Sequence, residues 1–315
     1  MSRRSPIRPV LLLAAVLTPA VASAQAWLPD KGTLSTSTLY NNVLYTAHWS
    51  STGDTVPGIN VRAETLAFLA NYGITDRVMV SGVLPYIHTK YEGPPSHGGL
   101  PGFEVDDGNW HGTLTDLRLG VHYQLLEQPF ALAPFIAYVT PVTDYPTSGH
   151  AAPGRGLDEL ILGFGAGKSL DPWIPRSYAQ LRYSYAFVEE VQDVKHDRTN
   201  LNLELGTFLT SRWNVSLYGA WQWTHGGVDV PLPAGSLHLL FVHDQLAADE
   251  FFNAGFGTGF AITPALTAFA TYMQGFAGEN GHKVDQSITV GVSYGFRPRA
   301  EAVGLAASNE PEAGD

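Results

Sequence analysis

An alternation of period two runs through nearly the whole chain and recurs about twelve times, with no segment of convincing helical period. Around 112–126, Leu117, Leu119, Val121, Tyr123 and Leu125 alternate with Asp116, Arg118, Gly120, His122 and Gln124. Around 177–190, Ala179, Leu181, Tyr183, Tyr185 and Phe187 oppose Gln180, Arg182 and Ser184. The last such stretch sets Ile288, Val290, Val292, Tyr294 and Phe296 against Ser287, Thr289, Gly291, Ser293 and Gly295. Successive side chains of a strand point to opposite faces, so each segment reads as a strand with one apolar face and one polar or very small face. The twelve lie near 33–47, 58–72, 76–91, 112–126, 130–142, 157–169, 177–190, 198–210, 213–225, 250–262, 265–277 and 284–296.

The links between these segments sort by turn. After the even-numbered strands come short ones ("GIT", "EQP", "LDPWIPR", "SR", "TP"), and after the odd-numbered strands come mostly longer ones. A soluble sandwich has no reason to alternate in this way. An outer-membrane barrel does, with tight periplasmic turns, larger extracellular loops and an even strand count. The expected fold is therefore all-β: a transmembrane antiparallel up-and-down β-barrel of about 12 strands, its apolar faces in lipid. A soluble barrel with the apolar faces inside is the competing reading. The tryptophans favour lipid, since Trp173 and Trp213 sit at short turns and Trp49, Trp110, Trp221 and Trp223 near long links, as two interfacial belts would place them.

Residues 1–24 carry Arg3, Arg4 and Arg8, then an apolar run from Val10, then Ala22-Ser23-Ala24, and read as a signal peptide cleaved near Ala24. The expected organisation is signal peptide 1–24, barrel 25–296 and a disordered periplasmic tail 297–315. Without the three leader arginines, 15 basic residues face 29 acidic ones, a net charge of about −14 that disfavours nucleic acid as a partner. Cysteine is absent, which removes disulfide and thiolate chemistry. Only 15% of residues are charged while 33 are glycine, a combination suited to a surface bathed partly in lipid.

Three motifs invite chemistry. "GFGAGKS" (163–169) resembles the end of a phosphate-binding loop, but Leu162 replaces the required glycine and "LDPWIP" forbids the helix that must follow. Its alternate glycines instead thin one strand's inner face for bulky neighbours. His48-Trp49-Ser50 has the histidine-to-serine spacing of an outer-membrane phospholipase, but Ser51 stands where that motif has asparagine. Ten of the eleven histidines, all but His122, lie in or near the long links, with no pair at metal-ligand spacing within one element. No enzyme activity, cofactor or metal is expected.

Ionisable residues on the inward faces are the sharper signal, because each needs water or a partner inside a narrow barrel. These candidates are Arg62, Glu64, Arg77, Asp116, Arg118, His122, Arg182 and Glu204. Leu66 and Phe68, however, share the face of Arg62 and Glu64. Arg182 and Glu204 lie on consecutive strands, where they could face each other. The set reads either as an ion-pair network bracing the interior or as polar rungs along a solute path.

The run "NYGITDRVMVSGVLPYIHTKY" (71–91) resembles an outer-membrane family named for a meta-pathway of phenol degradation, through Tyr72 to Arg77 and Pro85-Tyr86. "GTLTDLRLGVHYQLL" and "APFIAYVTPVTDYPTSG" are similar to its later strands, although Thr115 stands where glycine is usual before the aspartate. The resemblance implies uptake or efflux of small, often aromatic or hydrophobic solutes and carries over no binding residue. It is also a resemblance that marks Tyr294 and Phe296 as a terminal aromatic signal for the barrel-assembly machinery. The leading expectation is a narrow passive channel in the cell outer membrane, with membrane lipid, assembly machinery and a small solute as partners. A surface-interaction barrel with a closed lumen is the alternative, and an outer-membrane hydrolase a more distant one.

Overall fold

The structure, a computed structural model, describes residues 26–94, 102–230 and 237–296. The proposed leader and tail lie outside the described residues. The strands are β1 (Leu34–Trp49), β2 (Thr55–Gly73), β3 (Val78–Tyr91), β4 (His111–Leu114), β5 (Asp116–Tyr123), β6 (Ala131–Pro141), β7 (Glu159–Ser169), β8 (Ser177–Val188), β9 (His196–Phe208), β10 (Trp213–Gly226), β11 (Glu250–Ala261), β12 (Leu266–Glu279) and β13 (His282–Phe296). β4 and β5 both pair with β3 and flank Thr115, so they form one stave. Each stave pairs antiparallel with its neighbours in chain order and β13 pairs with β1, which closes a barrel of 12 staves.

Closure pairs Leu34 with Phe296, Tyr40 with Val290 and Val43 with Ser287. In a closed barrel every strand finds backbone partners on both sides, so no edge meets hydrocarbon. The faces decide between lipid and water. Phe68 (55% exposed), Leu119 (55%), Leu217 (61%) and Phe256 (58%) point outward, while Asn41, Thr65, Asn202, Ser216, Thr271 and Thr289 are buried inside. A continuous apolar exterior of this extent is not a surface for water. The soluble-barrel reading fails on this observation.

The connections are less regular than the sequence suggests. The links 92–110, 142–158 and 227–249 are long, but the one after β1 spans only 50–54 and the one after β12 only 280–281. Of the tryptophans, Trp173 and Trp213 are exposed at the short-turn end, and Trp110 and Trp223 at the other. Trp49 is buried, with the Lys283 ammonium 5.7 Å from its ring, and does not belong to the belt.

Candidate functional site

The inner surface has two unlike walls. On one side Leu39, Leu69, Phe269 and Met273 form an apolar cluster with Tyr218, a departure from the polar or small inner face that the alternation predicts. On the other side β5 to β9 carry the charge. Arg118, His122 and Arg182 gather around Phe135 of β6: the Arg182 guanidinium lies 3.9 Å from the ring centroid, that of Arg118 6.0 Å, and the His122 ring stacks at 5.2 Å. Phe135 can lie flat against the wall because its neighbour on β7 is Gly163, where a Cβ would come within 2.7 Å of the ring. The alternate glycines of 163–167 thus make room for bulky groups in the lumen.

Among the described residues neither arginine is neutralised by an ion pair. Glu159, which attracts Arg118, gives its carboxylate to Arg198, and one terminal nitrogen of Arg118 is buried without a partner. Arg182 pairs in register with Asn202, and Glu204 with Gln180, so Arg182 and Glu204 do not face each other as a pair. Glu204 instead accepts hydrogen bonds from the hydroxyls of Tyr178 (2.6 Å) and Ser216 (3.1 Å). Asp116 accepts one from Tyr145, whose hydroxyl in turn accepts the Gly156 amide at 2.8 Å. The Ser81 hydroxyl and His122 Nε2 lie 3.0 Å apart.

Three of the eight sequence candidates are not on the inner face. Arg62 and Glu64 share the outer face of β2 with exposed Leu66 and Phe68, and Glu64 lies 3.8 Å from His88 on the same outer face. β2 has 19 residues where roughly 9–11 cross a bilayer, so its upper part can carry outward charge beyond the hydrocarbon. Arg77 is exposed in the turn before β3, its amide bonded to Thr75 Oγ1. Inward-facing Asp116, Arg118, His122, Arg182 and Glu204 remain. Tyr294 and Phe296 face outward, their rings 4.3 Å apart.

A second feature gave no sequence signal: residues 26–30 run inside the barrel at the short-turn end. Ala26 is fully buried, its amide donating to Gln180 of β8 (3.3 Å) and its carbonyl accepting from Gln124 (3.0 Å). The Leu28 amide donates to Gln124 (2.9 Å). Trp27 packs over Gly167 of β7, and Asp30 over Gly73 of β2. The segment therefore passes from the β7–β8 wall, past Gln124 at the end of β5, to β2.

At the long-loop end three links lock together. Asp106 accepts the amides of His150 and Ala151, both at 2.9 Å, and Asp244 accepts that of Gly149 at 2.7 Å. Phe103 and Phe241 stack at 5.6 Å. Arg155 and Asp249 pair at 2.5 Å; burial opposes ionisation of Asp249, but Arg155 overrides it and holds the carboxyl below its ordinary range. Beneath these links lies a cavity of about 540 Å³ lined by residues including Asn41, Tyr45, Thr89, Asn253 and Met273. His48, His150 and His282 meet on its wall. Ser50, two residues from His48, spends its hydroxyl within its own turn, accepting the amides of Thr52 and Asp54, which is not the arrangement of a hydrolytic nucleophile.

The fold is similar to that of an outer membrane channel from Pseudomonas putida F1 (14% identity, TM-score 0.63, covering 85% of this chain and 97% of that one). It is also similar, more loosely, to the NanC porin (11% identity, TM-score 0.47, covering 83% of this chain and 98% of that one). Comparison with curated proteins gives no match. Residues 49–286 match the model of the family described as "Putative MetA-pathway of phenol degradation", and with most of the barrel inside that match the chain belongs to this family.

Proposed function

We propose that the protein is an outer-membrane channel that passes small amphipathic solutes passively, favouring those that join an aromatic or hydrophobic body to a negative charge. The single observation that carries this reading is the pair of inward guanidiniums, Arg118 and Arg182, set on Phe135 and free of a carboxylate ion pair among the described residues. An ion-pair brace spends its charges on each other, whereas these two remain available to an anion in a narrow lumen. The apolar wall of Leu39, Leu69, Phe269 and Met273 suits the other half of such a solute. Family membership and the likeness to the outer membrane channel from Pseudomonas putida F1 support the same reading, with short turns periplasmic and long links outside.

Planar-bilayer recordings of the refolded mature barrel test this directly. The wild type is expected to show single-channel steps with anion preference, measured as a reversal potential in a salt gradient. Arg118→Ala with Arg182→Ala is expected to lower that preference severalfold while leaving the folded barrel intact. The interlocked links and the 26–30 segment favour a second reading, a barrel whose lumen is closed and whose outer surface is the working part. Absence of conductance, together with unchanged behaviour in the double variant, would establish that second reading at the expense of the first.

A further inference from the structure

We propose that His48, His150 and His282 form a binding site for a borderline transition-metal cation of the Zn²⁺, Ni²⁺ or Cu²⁺ type, at the long-loop mouth of the barrel. The three residues are far apart in sequence and come from three different elements. His48 and His282 are direct cross-strand partners near the ends of β1 and β13, and His150 descends from the 142–158 link. Each offers one ring nitrogen, and the three nitrogens all lie within 4.8 Å of one another.

The spacing matches what such a cation requires. Tetrahedral zinc with bonds of about 2.0–2.1 Å to imidazole sets its ligand nitrogens roughly 3.3–3.4 Å apart. His150 Nδ1 and His282 Nε2 are already 3.4 Å apart, within hydrogen-bond reach, so a cation would take the place of the proton between them, and His48 offers a third nitrogen within 4.8 Å of both. Three histidines with one remaining position open to a cavity are a donor set that suits zinc, nickel and copper and does not suit the hard cations calcium and magnesium. The fourth position is left to water or a small solute from the cavity of about 540 Å³ that the three histidines line.

The elements that carry the three histidines are also held in place before any cation arrives. The Trp49 amide donates to the Gly281 carbonyl at 2.7 Å, which fixes the β1 and β13 ends against each other. Asp106 holds the His150 and Ala151 amides, and Asp244 the Gly149 amide, so the link presents its imidazole from a rigid base. The rings of Tyr45 and Tyr91 pack against His282 and His150 at centroid distances of 5.3 and 4.9 Å. Ligands mounted on strands and on a braced loop lose little freedom on binding. An occupied site would staple the 142–158 link to the wall where the barrel closes.

The test uses the full mature barrel folded in detergent, stripped with chelator and titrated with Zn²⁺ and with Ni²⁺ by calorimetry, with bound metal counted by elemental analysis. The expected result is one equivalent of metal bound saturably. Each of His48→Asn, His150→Asn and His282→Asn is expected to weaken binding at least about tenfold, the loss that even an outer-shell partner's removal brings. His111→Ala, which dissolves the exposed His111–Asp107 pair, is expected to change nothing. Heat-modifiable migration confirms that each variant is folded, and any variant that fails it is read through the other two. With Cu²⁺ as probe, nitrogen couplings in the electron paramagnetic resonance spectrum should be present in the wild type and reduced in the variants. Absence of saturable binding in the wild type, or binding unaltered in all folded histidine variants, overturns the site and leaves three rings that merely pack. The readout is binding rather than flux, so this proposal and the transport reading fail separately.

Discussion

Removal of residues 26–30 is expected to raise single-channel conductance severalfold. This segment lies inside the barrel at the short-turn end, held by the Gln124 and Gln180 side chains and in contact with Gly73. It contributes none of the strand-to-strand pairs from Leu34 onward, so the barrel should fold without it. Ion flow through a narrow pore is governed by its tightest section, and a polypeptide lying inside the barrel narrows the path. Gln124→Ala combined with Gln180→Ala tests the same idea more gently, because it removes three of the segment's hydrogen bonds and leaves the chain present. That variant is expected to show longer or more frequent high-conductance dwell times than wild type. If the deletion folds, by heat-modifiable migration, yet conducts as the intact chain does, the segment is not the constriction.

Ending the chain at Gln286 is expected to abolish assembly altogether, whereas ending it at Phe296 is expected to leave the barrel intact. Residues 287–296 supply the partners of Leu34 to Val43 in β1 and of Leu266 to Met273 in β12. Without them two strand edges stand open in hydrocarbon, where each unpaired backbone group costs several kcal/mol. The two open edges, β1 and β12, run parallel to each other and so do not match as a further antiparallel pair. The partners of Leu34 to Val43 and of Leu266 to Met273 all lie at or before Phe296, so ending the chain there keeps both ladders. Protease protection in membranes and migration of unheated samples read out both truncations. Equal insertion of the two would show that the last stave is misplaced. Tyr294→Ala and Phe296→Ala separate recognition from stability: as an assembly signal they should slow insertion by the assembly machinery while leaving the barrel refolded in detergent as stable as wild type.

Much of this architecture is determined by residue order alone. Alternation settles which residues share a face, because a strand's side chains alternate strictly whatever surrounds them. Leu117 to Leu125 and Ala179 to Phe187 therefore faced one way, and the inward positions of Arg118, His122, Arg182 and Glu204 followed. Alternation does not say how far up a strand the membrane reaches. In the long strand β2 the outward face continues past the lipid, and Arg62 and Glu64 occupy it. Nor does alternation mark where a strand begins, and Arg77 lies in the turn just before β3.

The tertiary structure alone decided what meets across the lumen. Register set Arg182 opposite Asn202 and Glu204 opposite Gln180, a matter of ladder offset that composition does not encode. His48, His150 and His282 become neighbours only because closure joins β1 to β13 and the 142–158 link bends over that seam. Residues 26–30, too short and irregular to carry a period, fill the lumen because the barrel presents them with Gln124, Gln180 and glycine-lined space. Periodicity is a local property of the chain and is readable in it; contact across a closed barrel depends on closure itself, and only the folded molecule supplies that.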